Sequence, residues 1–419
     1  KEGAQESYVA FAKKVTKKPV VGVGRFTSPD TMVSQIRRGI LDFIGAARPS
    51  IADPFLPRKI EEGRPDDIRE CIGCNVCIAY DGYGAPIRCT QNPSMGEEWR
   101  RGWHPEIIAA KASDDSVLVI GAGPAGLECA RALGQRGYQV HLAEATKELG
   151  GRLIPESRLP GLAEYIRVRD YRVGQINKLT NVSIYRDSRL TSVDVREFGA
   201  ARVVMATGAG WRRDGCGKTH MRPVPGSDGA NVFTPEDVFA GQPIAGPVVL
   251  FDDDPYYMGG VIAEALRARG LAVTLVTSNP LVSEWTYATL ELPMIQSRLM
   301  EADIDIIANH KVTDIAEGAV ELACVFTEKA RRLQAASVVM VTTRLPNDAL
   351  YHELTADPDA LKAAGIRSVT RIGDCLVPAL IAAAVQDGHR YAQELDGPTP
   401  ADVPFRVEDI RHEPPLYPG

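Results

Sequence analysis

Short apolar runs alternate with helix-period stretches almost from the first residue of the chain. In the opening KEGAQESYVAFAKKV, residues Tyr8, Phe11, Ala12 and Val15 fall on one stripe, the spacing of an amphipathic helix. KPVVGVGRF (18–26) is a strand-sized apolar run that ends in Gly24-Arg25. SPDTMVSQIRRG follows, with Ser28 at an N-cap position, Pro29 at N1 and Gly39 at its end, the start and stop signals of a helix. LDFIGAARPSIAD predicts a second buried strand, ending at Ala47-Arg48. Two strand–helix units joined by short loops predict a parallel sheet. A helix with no strand before it predicts that the chain starts in mid-domain.

The pattern begins again at Ser116. SVLVIGAGPAGLECARALGQRGYQVHLAEA predicts a buried strand, the turn Gly121-x-Gly123-x-x-Gly126, a helix, and a strand over 139–143 ending at Glu144. This is the dinucleotide-binding context: glycines allow a tight turn and close approach of backbone to a pyrophosphate, which the helix N-terminus stabilises. Glu144 stands where an acid accepts ribose hydroxyls and disfavours a 2′-phosphate. ARVVMATGA (201–209) reads as a further strand and glycine turn, and Gly373-Asp374 precedes a long helix. In flavoprotein folds such an aspartate meets the ribose or ribityl of the nucleotide, although a Gly-Asp pair alone is only a turn. Between these lies GPVVLFDDDPYYMGGVIAEALRARGLAVTLVTS, which has the same strand–turn–helix–strand order. Its three glycine positions hold Asp252, Asp254 and Tyr257. Side chains there occupy the pyrophosphate position and two carboxylates repel it. A domain that folds but binds no nicotinamide nucleotide is the expectation.

Composition changes this picture only by exclusion. The 48 basic and 54 acidic residues give −6, with no tract basic enough for nucleic acid and no acidity strong enough for disorder. No apolar run approaches a membrane span of ~20 residues. The eight cysteines alter it more. Four of them, Cys71, Cys74, Cys77 and Cys89, crowd into CIGCNVCIAYDGYGAPIRC, which reads as a metal site in a reducing, cytoplasmic compartment rather than a disulfide scaffold. Zinc favours two well-separated CxxC pairs. A close triplet with a distant fourth suits a [4Fe–4S] cubane, where each iron takes one thiolate, and zinc is the runner-up. Gly82, Gly84 and Pro86 would form the loop that swings Cys89 round. Cys129, Cys216, Cys324 and Cys375 read as small buried hydrophobes. If the first two strands close an α/β barrel, their ends bind phosphate, with Gly24 admitting backbone and Arg25 and Arg48 donating. The plainer alternative makes both arginines surface ion-pair partners.

Nearly the whole chain resembles the iron–sulfur flavoprotein amine dehydrogenases. The likeness rests on GVGRF, ARPSIADPFLP, CIGCNVCI…CTQN, RRGWHPE, GAGPAGLECAR, LPGL, ATGA and IGD. It implies an FMN-bearing barrel that oxidises a small amine (histamine first, otherwise dimethylamine or trimethylamine). Single electrons would pass to a [4Fe–4S] cluster and then to an electron-transferring flavoprotein. It also implies a homodimer, ADP in a glutathione-reductase-type FAD site (FAD itself being the alternative), and an empty NAD-like domain. By position, Gly24, Arg25, Ala47 and Arg48 would hold the FMN phosphate, and Cys71, Cys74, Cys77 and Cys89 the irons. Gly121, Gly123, Gly126, Glu144 and Asp374 would hold the nucleotide.

The fold class expected is α/β: the end of a (β/α)8 barrel over 1–70, then a cluster loop and linker over 71–113. A Rossmann-like domain follows over 114–211 plus 350–419, with an NAD-like domain inserted over 212–349. Only the last two of eight barrel strands are present, so the catalytic residues are expected in barrel sequence that precedes Lys1, and the chain is expected to be part of a longer polypeptide. Two other classes fit parts of the pattern. An NADPH-dependent dienoyl-CoA or enoate reductase shares the architecture but needs a working second turn, and NADPH oxidation separates it. A non-catalytic electron-transfer subunit would need Lys1 to be a true start, which the mass of the native polypeptide decides.

Overall fold

The structure, a computed structural model, describes residues 2–397. The tail of the predicted 350–419 segment, residues 398–419, lies outside the described residues.

Val21–Val23 and Phe43–Gly45 form a parallel pair in the register Val21↔Phe43, with the helix Pro29–Arg37 between them. Phe26, Met32, Leu41, Leu56 and Ile68 make the core of this unit. Two expectations need correction here. The opening stretch forms two four-residue helices, Glu6–Val9 and Ala12–Val15, neither with a buried residue. Its stripe points outward, with Tyr8 77%, Phe11 61% and Val15 74% exposed. Polar contacts anchor it instead: the Gly3 N–H donates to the Gly24 carbonyl at 2.9 Å, and Arg38 pairs with Glu6 at 2.7 Å. The second strand also ends earlier than the apolar pattern suggests, because Ala47–Ala52 is helical. Pro49 falls in that helix's first turn, where a missing N–H has no intrahelical acceptor to lose, but it would break a sheet ladder.

Past the barrel unit, the cysteine stretch is less of a loop than its glycines suggest. Val76–Gly82 is a helix that carries Cys77, and Asn75 before it is left-handed with φ 55°. Ile72, Cys74 and Val76 pack into the same core as Val248, Leu250 and Ile262, so this stretch is wedged against the second nucleotide-type domain.

The first nucleotide-type sheet is parallel, in the order Ser368–Arg371, Arg202–Met205, Val117–Ile120, Val140–Ala143, Val182–Tyr185. The helix Pro124–Arg136 leaves its central strand and packs on Ile381–Glu394. The second sheet, also parallel, orders Asp305–Ile307, Val273–Thr277, Val248–Asp252, Ser337–Val341, Val232–Phe233. An antiparallel sheet of three strands (His310–Ala316, Ala319–Cys324, Ala330–Gln334) is appended to it. The antiparallel pair Ala209–Trp211 with Arg344–Pro346 carries the chain out of the first domain and back. Both nucleotide-type sheets are buried throughout their central strands, which are apolar except for Asp252, as sheets covered on two faces must be. Among the described residues no helix is long and apolar enough to cross a membrane.

Candidate functional site

The four clustered cysteines are all free, Cys74 buried and Cys71, Cys77 and Cys89 partly so. Cys74 Sγ and Thr90 Oγ1 are hydrogen-bonded at 3.2 Å, and the Gln91 N–H donates to Cys89 Sγ at 3.4 Å. The backbone amides of Val76, Ile78 and Asn92 also face these sulfurs. Burial pushes the thiols of Cys74 and Cys89 up to about 12, and the neighbouring cysteines add to the shift. Metal binding there must therefore displace protons. Sulfurs ringed by N–H donors suit thiolates ligating a cluster. Among the described residues no three His, Cys, Asp or Glu converge to hold a single metal ion. A cubane, which meets each thiolate at its own iron, does not ask for that convergence. Of the other cysteines, Cys129, Cys216 and Cys375 are buried as expected, whereas Cys324 at a strand end is only half-buried.

The two barrel arginines touch this stretch directly, and Arg25, only 7% exposed, also lies 3.9 Å from Glu164, so it is an ion-pair partner but not a surface one. Arg25, left-handed at φ 53° and nearly buried, donates from Nη1 to the Cys71 carbonyl at 2.5 Å. Arg48, in the first turn of its helix beside Ala47, donates to Asn75 Oδ1. Asn75 Nδ2 in turn donates to the Thr289 carbonyl of the inserted domain at 2.8 Å. Gly24 has no room for a side chain, since a Cβ would lie 2.8 Å from the Phe26 ring. Gly24, Arg25, Ala47 and Arg48 thus cluster at one end of the barrel strands, against the cysteine stretch.

At the first glycine turn, three glycines are needed for three reasons. Gly121 sits at φ 102°, a region closed to ordinary side chains. A Cβ on Gly126 would overlap the Gly121 carbonyl oxygen. Gly123 faces open space, so its smallness serves whatever lies in front of the turn. Glu144, nearly buried, accepts the Ala122 N–H at 2.9 Å and the Thr146 hydroxyl at 2.9 Å. A cavity of about 940 Å³ opens there and runs past Asp374 and Arg344 as far as Cys74. Asp374 accepts from Arg344 and from the Ala379 N–H at 3.1 Å.

The far wall of this cavity was not legible in the sequence. Tyr165, Tyr256 and Tyr257 line it, with ring centroids 5.7 Å apart for Tyr165–Tyr257 and 4.3 Å for Tyr256–Tyr257. Tyr165 and Tyr256 lie within electrostatic reach of the Cys74 thiol. The one available signal was DPYY at the degenerate turn, which reads as obstruction rather than as a wall shared with a neighbouring site.

The second turn is blocked, although by different means than its charges suggest. Asp252 is buried, neither carboxylate oxygen has a partner, and a Cβ on Gly259 would overlap the group. Burial and the neighbouring Asp254 raise its carboxyl well above the usual range, which favours the neutral form and weakens the case for charge repulsion of phosphate. Burial also lifts Asp254, to about 6. A loop then lies across the strand ends. Thr219 donates its N–H and hydroxyl to Asp253 at 2.8 and 2.5 Å, Ser278 donates to the same carboxylate at 3.1 Å, and Lys218 donates to Asn279. Ser278 directly follows its strand as Glu144 follows its own. The loop thus meets Ser278 on the Asp253 carboxylate, at the strand end equivalent to the place of Glu144 in the first domain.

Three family models match the chain: NADH:flavin oxidoreductase / NADH oxidase family over 1–67, pyridine nucleotide-disulphide oxidoreductase over 115–242, and OYE-like second alpha/beta domain over 233–349. The chain is 41% identical to dimethylamine dehydrogenase of Hyphomicrobium sp. (strain x), across 96% of this chain and 59% of that protein. Histamine dehydrogenase from Rhizobium sp. 4-9 superposes with a TM-score of 0.93 at 52% identity, covering 99% of this chain and 61% of that one. A 6-hydroxypseudooxynicotine amine oxidase from Pseudomonas geniculata N1 superposes at 0.91 and 51% identity, covering 94% and 59%. The chain therefore spans about three fifths of the length of these relatives.

Proposed function

Because the chain belongs to the flavoprotein amine dehydrogenase family, we propose that it is the electron-exporting part of an enzyme that oxidises a small amine, with histamine ahead of dimethylamine or trimethylamine. One observation carries the reading beyond family membership. Arg25 and Arg48, the proposed FMN-phosphate residues, are hydrogen-bonded to Cys71 and Asn75 of the cysteine stretch. Flavin end and cluster end are thus one contact set. Bound there, FMN supplies two-electron oxidation and a [4Fe–4S] cubane held by Cys71, Cys74, Cys77 and Cys89 supplies single-electron transfer. The residues themselves do simpler work. Gly24 and Ala47 admit the phosphate, Arg48 offers it charge, and Arg25 ties the barrel to the Cys71 backbone. Tyr165 and Tyr256 line the cavity beside Cys74.

The blocked second turn leaves no nicotinamide exit, so the acceptor would be an electron-transferring flavoprotein meeting the protein near Cys71–Cys89. Gly121, Gly123, Gly126, Glu144 and Asp374 would keep an ADP as a fixed structural ligand. A second reading, FAD there, is favoured by a specific observation: the cavity continues beyond the turn to Cys74. Nucleotide released on denaturation distinguishes the two. For the main reading, turnover with amine should run with a ferricenium-type dye and show no rate with NAD or NADP. Cys74→Ala should lose iron while leaving flavin reduction by amine largely intact. Zinc in place of iron, or NAD reduction at the dye-linked rate, would defeat it.

A further inference from the structure

One buried cluster of charge touches the cysteine stretch from the nucleotide side. Glu128, on the helix that leaves the glycine turn, is buried, and so are Arg131, Arg172 and His389. Arg172 Nε lies 2.8 Å from Glu128 Oε2, Arg131 Nη2 lies 2.6 Å from Oε1, and His389 Nδ1 lies 2.9 Å from Oε1. Burial alone would raise the Glu128 carboxyl, but Arg131, Arg172 and His389 hold it well below the usual range. Burying such ions costs several kcal/mol each, and apolar side chains could join the same helices. The arrangement asks for a reason beyond cohesion.

The remaining prongs of Arg172 supply one. Its Nη1 donates to Gln91 Oε1 at 3.0 Å and its Nη2 to the Gln91 carbonyl at 3.1 Å. Gln91 donates its own N–H to Cys89 Sγ at 3.4 Å. Its Nε2 donates to the carbonyls of Glu70, next to Cys71, at 3.0 Å and of Arg167 at 3.3 Å. One glutamine thus spans both ends of the cysteine stretch, and one arginine fixes the glutamine.

We propose that Arg172 is a positioning residue that sets the reduction potential of the cluster, by gripping Gln91 so that its N–H is held on Cys89 Sγ. The proposal rests on the [4Fe–4S] reading above. A cluster gaining one electron and no proton becomes more negative, and an N–H aimed at its sulfur stabilises that state. Glu128 is shared between Arg131 and Arg172, so one positive charge is left over in the cluster, and a lysine at 172 keeps that charge while removing the fork that grips Gln91.

Two variants of the holoenzyme test this, with the midpoint potential read by an EPR-monitored redox titration. Arg172→Lys keeps the charge but loses the fork, and Gln91→Met keeps the volume but loses every side-chain polar contact. Each should shift the one-electron equilibrium about tenfold against reduction, about 59 mV downward. The flavin potential should stay in place, and the double variant should shift no further than the larger single. A merely structural role would lower the melting temperature and leave the potential where it was. If Arg172→Lys does not fold, Gln91→Met decides alone. A wild-type potential in iron-replete Gln91→Met, or additive shifts in the double variant, overturns the proposal. Absence of iron and sulfide from the wild-type protein is a separate failure, which removes the cluster reading itself.

Discussion

The two nucleotide-type domains share the order of four parallel strands and a helix that leaves the central strand, yet their turns have opposite characters. At 121–126 the backbone closes on itself and leaves open space before Gly123. At 252–257 that space is filled from three directions: Asp252 from within, Tyr257 along the cavity, and the Lys218–Thr219 loop from across the strand ends. Fold is retained in both, while binding is a property of a handful of side chains. The difference also gives the second turn a part in the first domain's cavity. The second turn supplies Tyr256 and Tyr257 to the cavity of the first.

This contrast can be broken most severely at Gly126. Gly126→Ala places a methyl on the Gly121 carbonyl, where only backbone could give way. It should cost about 3–5 kcal/mol of stability and all retained nucleotide. Chemical denaturation with nucleotide extraction checks both, and a stable variant with full nucleotide content would contradict the close-approach argument.

Next in size is Asp254. Its folded value of about 6 stands above the ordinary 3.8. The folded state then holds a proton more tightly, so the group's contribution is fully present below pH ~4 and is lost as pH rises through ~6. Asp254→Asn should gain up to about 3 kcal/mol relative to wild type above pH 7 and nothing at pH 4. Denaturation curves running parallel at both pH values would refute this.

Smaller again is the pair Glu144→Ala and Ser278→Ala, at equivalent places in the two domains. The first should weaken nucleotide retention by about 1.5–3 kcal/mol, through loss of a charged acceptor. The second should leave nucleotide content unchanged. Equal losses measured by calorimetric rebinding would erase the distinction between the domains.

The smallest effect is expected where sequence alone suggests the largest. Restoring glycine at Asp252, Asp254 and Tyr257 together should yield no NAD binding in a titration, because the Thr219–Asp253–Ser278 contacts still lie at the strand end equivalent to the place of Glu144. Binding at micromolar NAD would show that the loop is not the barrier.

What could be read in advance divides along the same line. Gly121, Gly123, Gly126 and Glu144 were legible because strand, turn and helix are contiguous, and each residue answers a local steric demand. The degenerate turn was legible as degenerate, but its surroundings were not: the loop beside it comes from more than thirty residues upstream, and burial disfavours the charge expected on Asp252. Arg25 and Arg48 could be singled out on phosphate logic at the strand ends, while their grip on Cys71 and Asn75 depends on contacts no periodicity encodes. The outward stripe at Tyr8, Phe11 and Val15 shows the opposite failure, where good local periodicity meets no apolar surface among the described residues.

The left-handed Asn75 bears on how the protein is made. The segment from Cys71 to Gln91 receives Arg25 and Arg48 from the barrel unit, Arg172 from the first nucleotide domain and the Thr289 carbonyl from the inserted one, across 214 residues of chain. Contacts so distant form late in folding, after the loops that separate them have closed. The cysteines therefore reach their final spacing only when all three units have docked. If these cysteines hold the proposed [4Fe–4S] cluster, its iron and sulfide would be loaded near the end of biosynthesis, on a nearly finished scaffold rather than on a nascent chain.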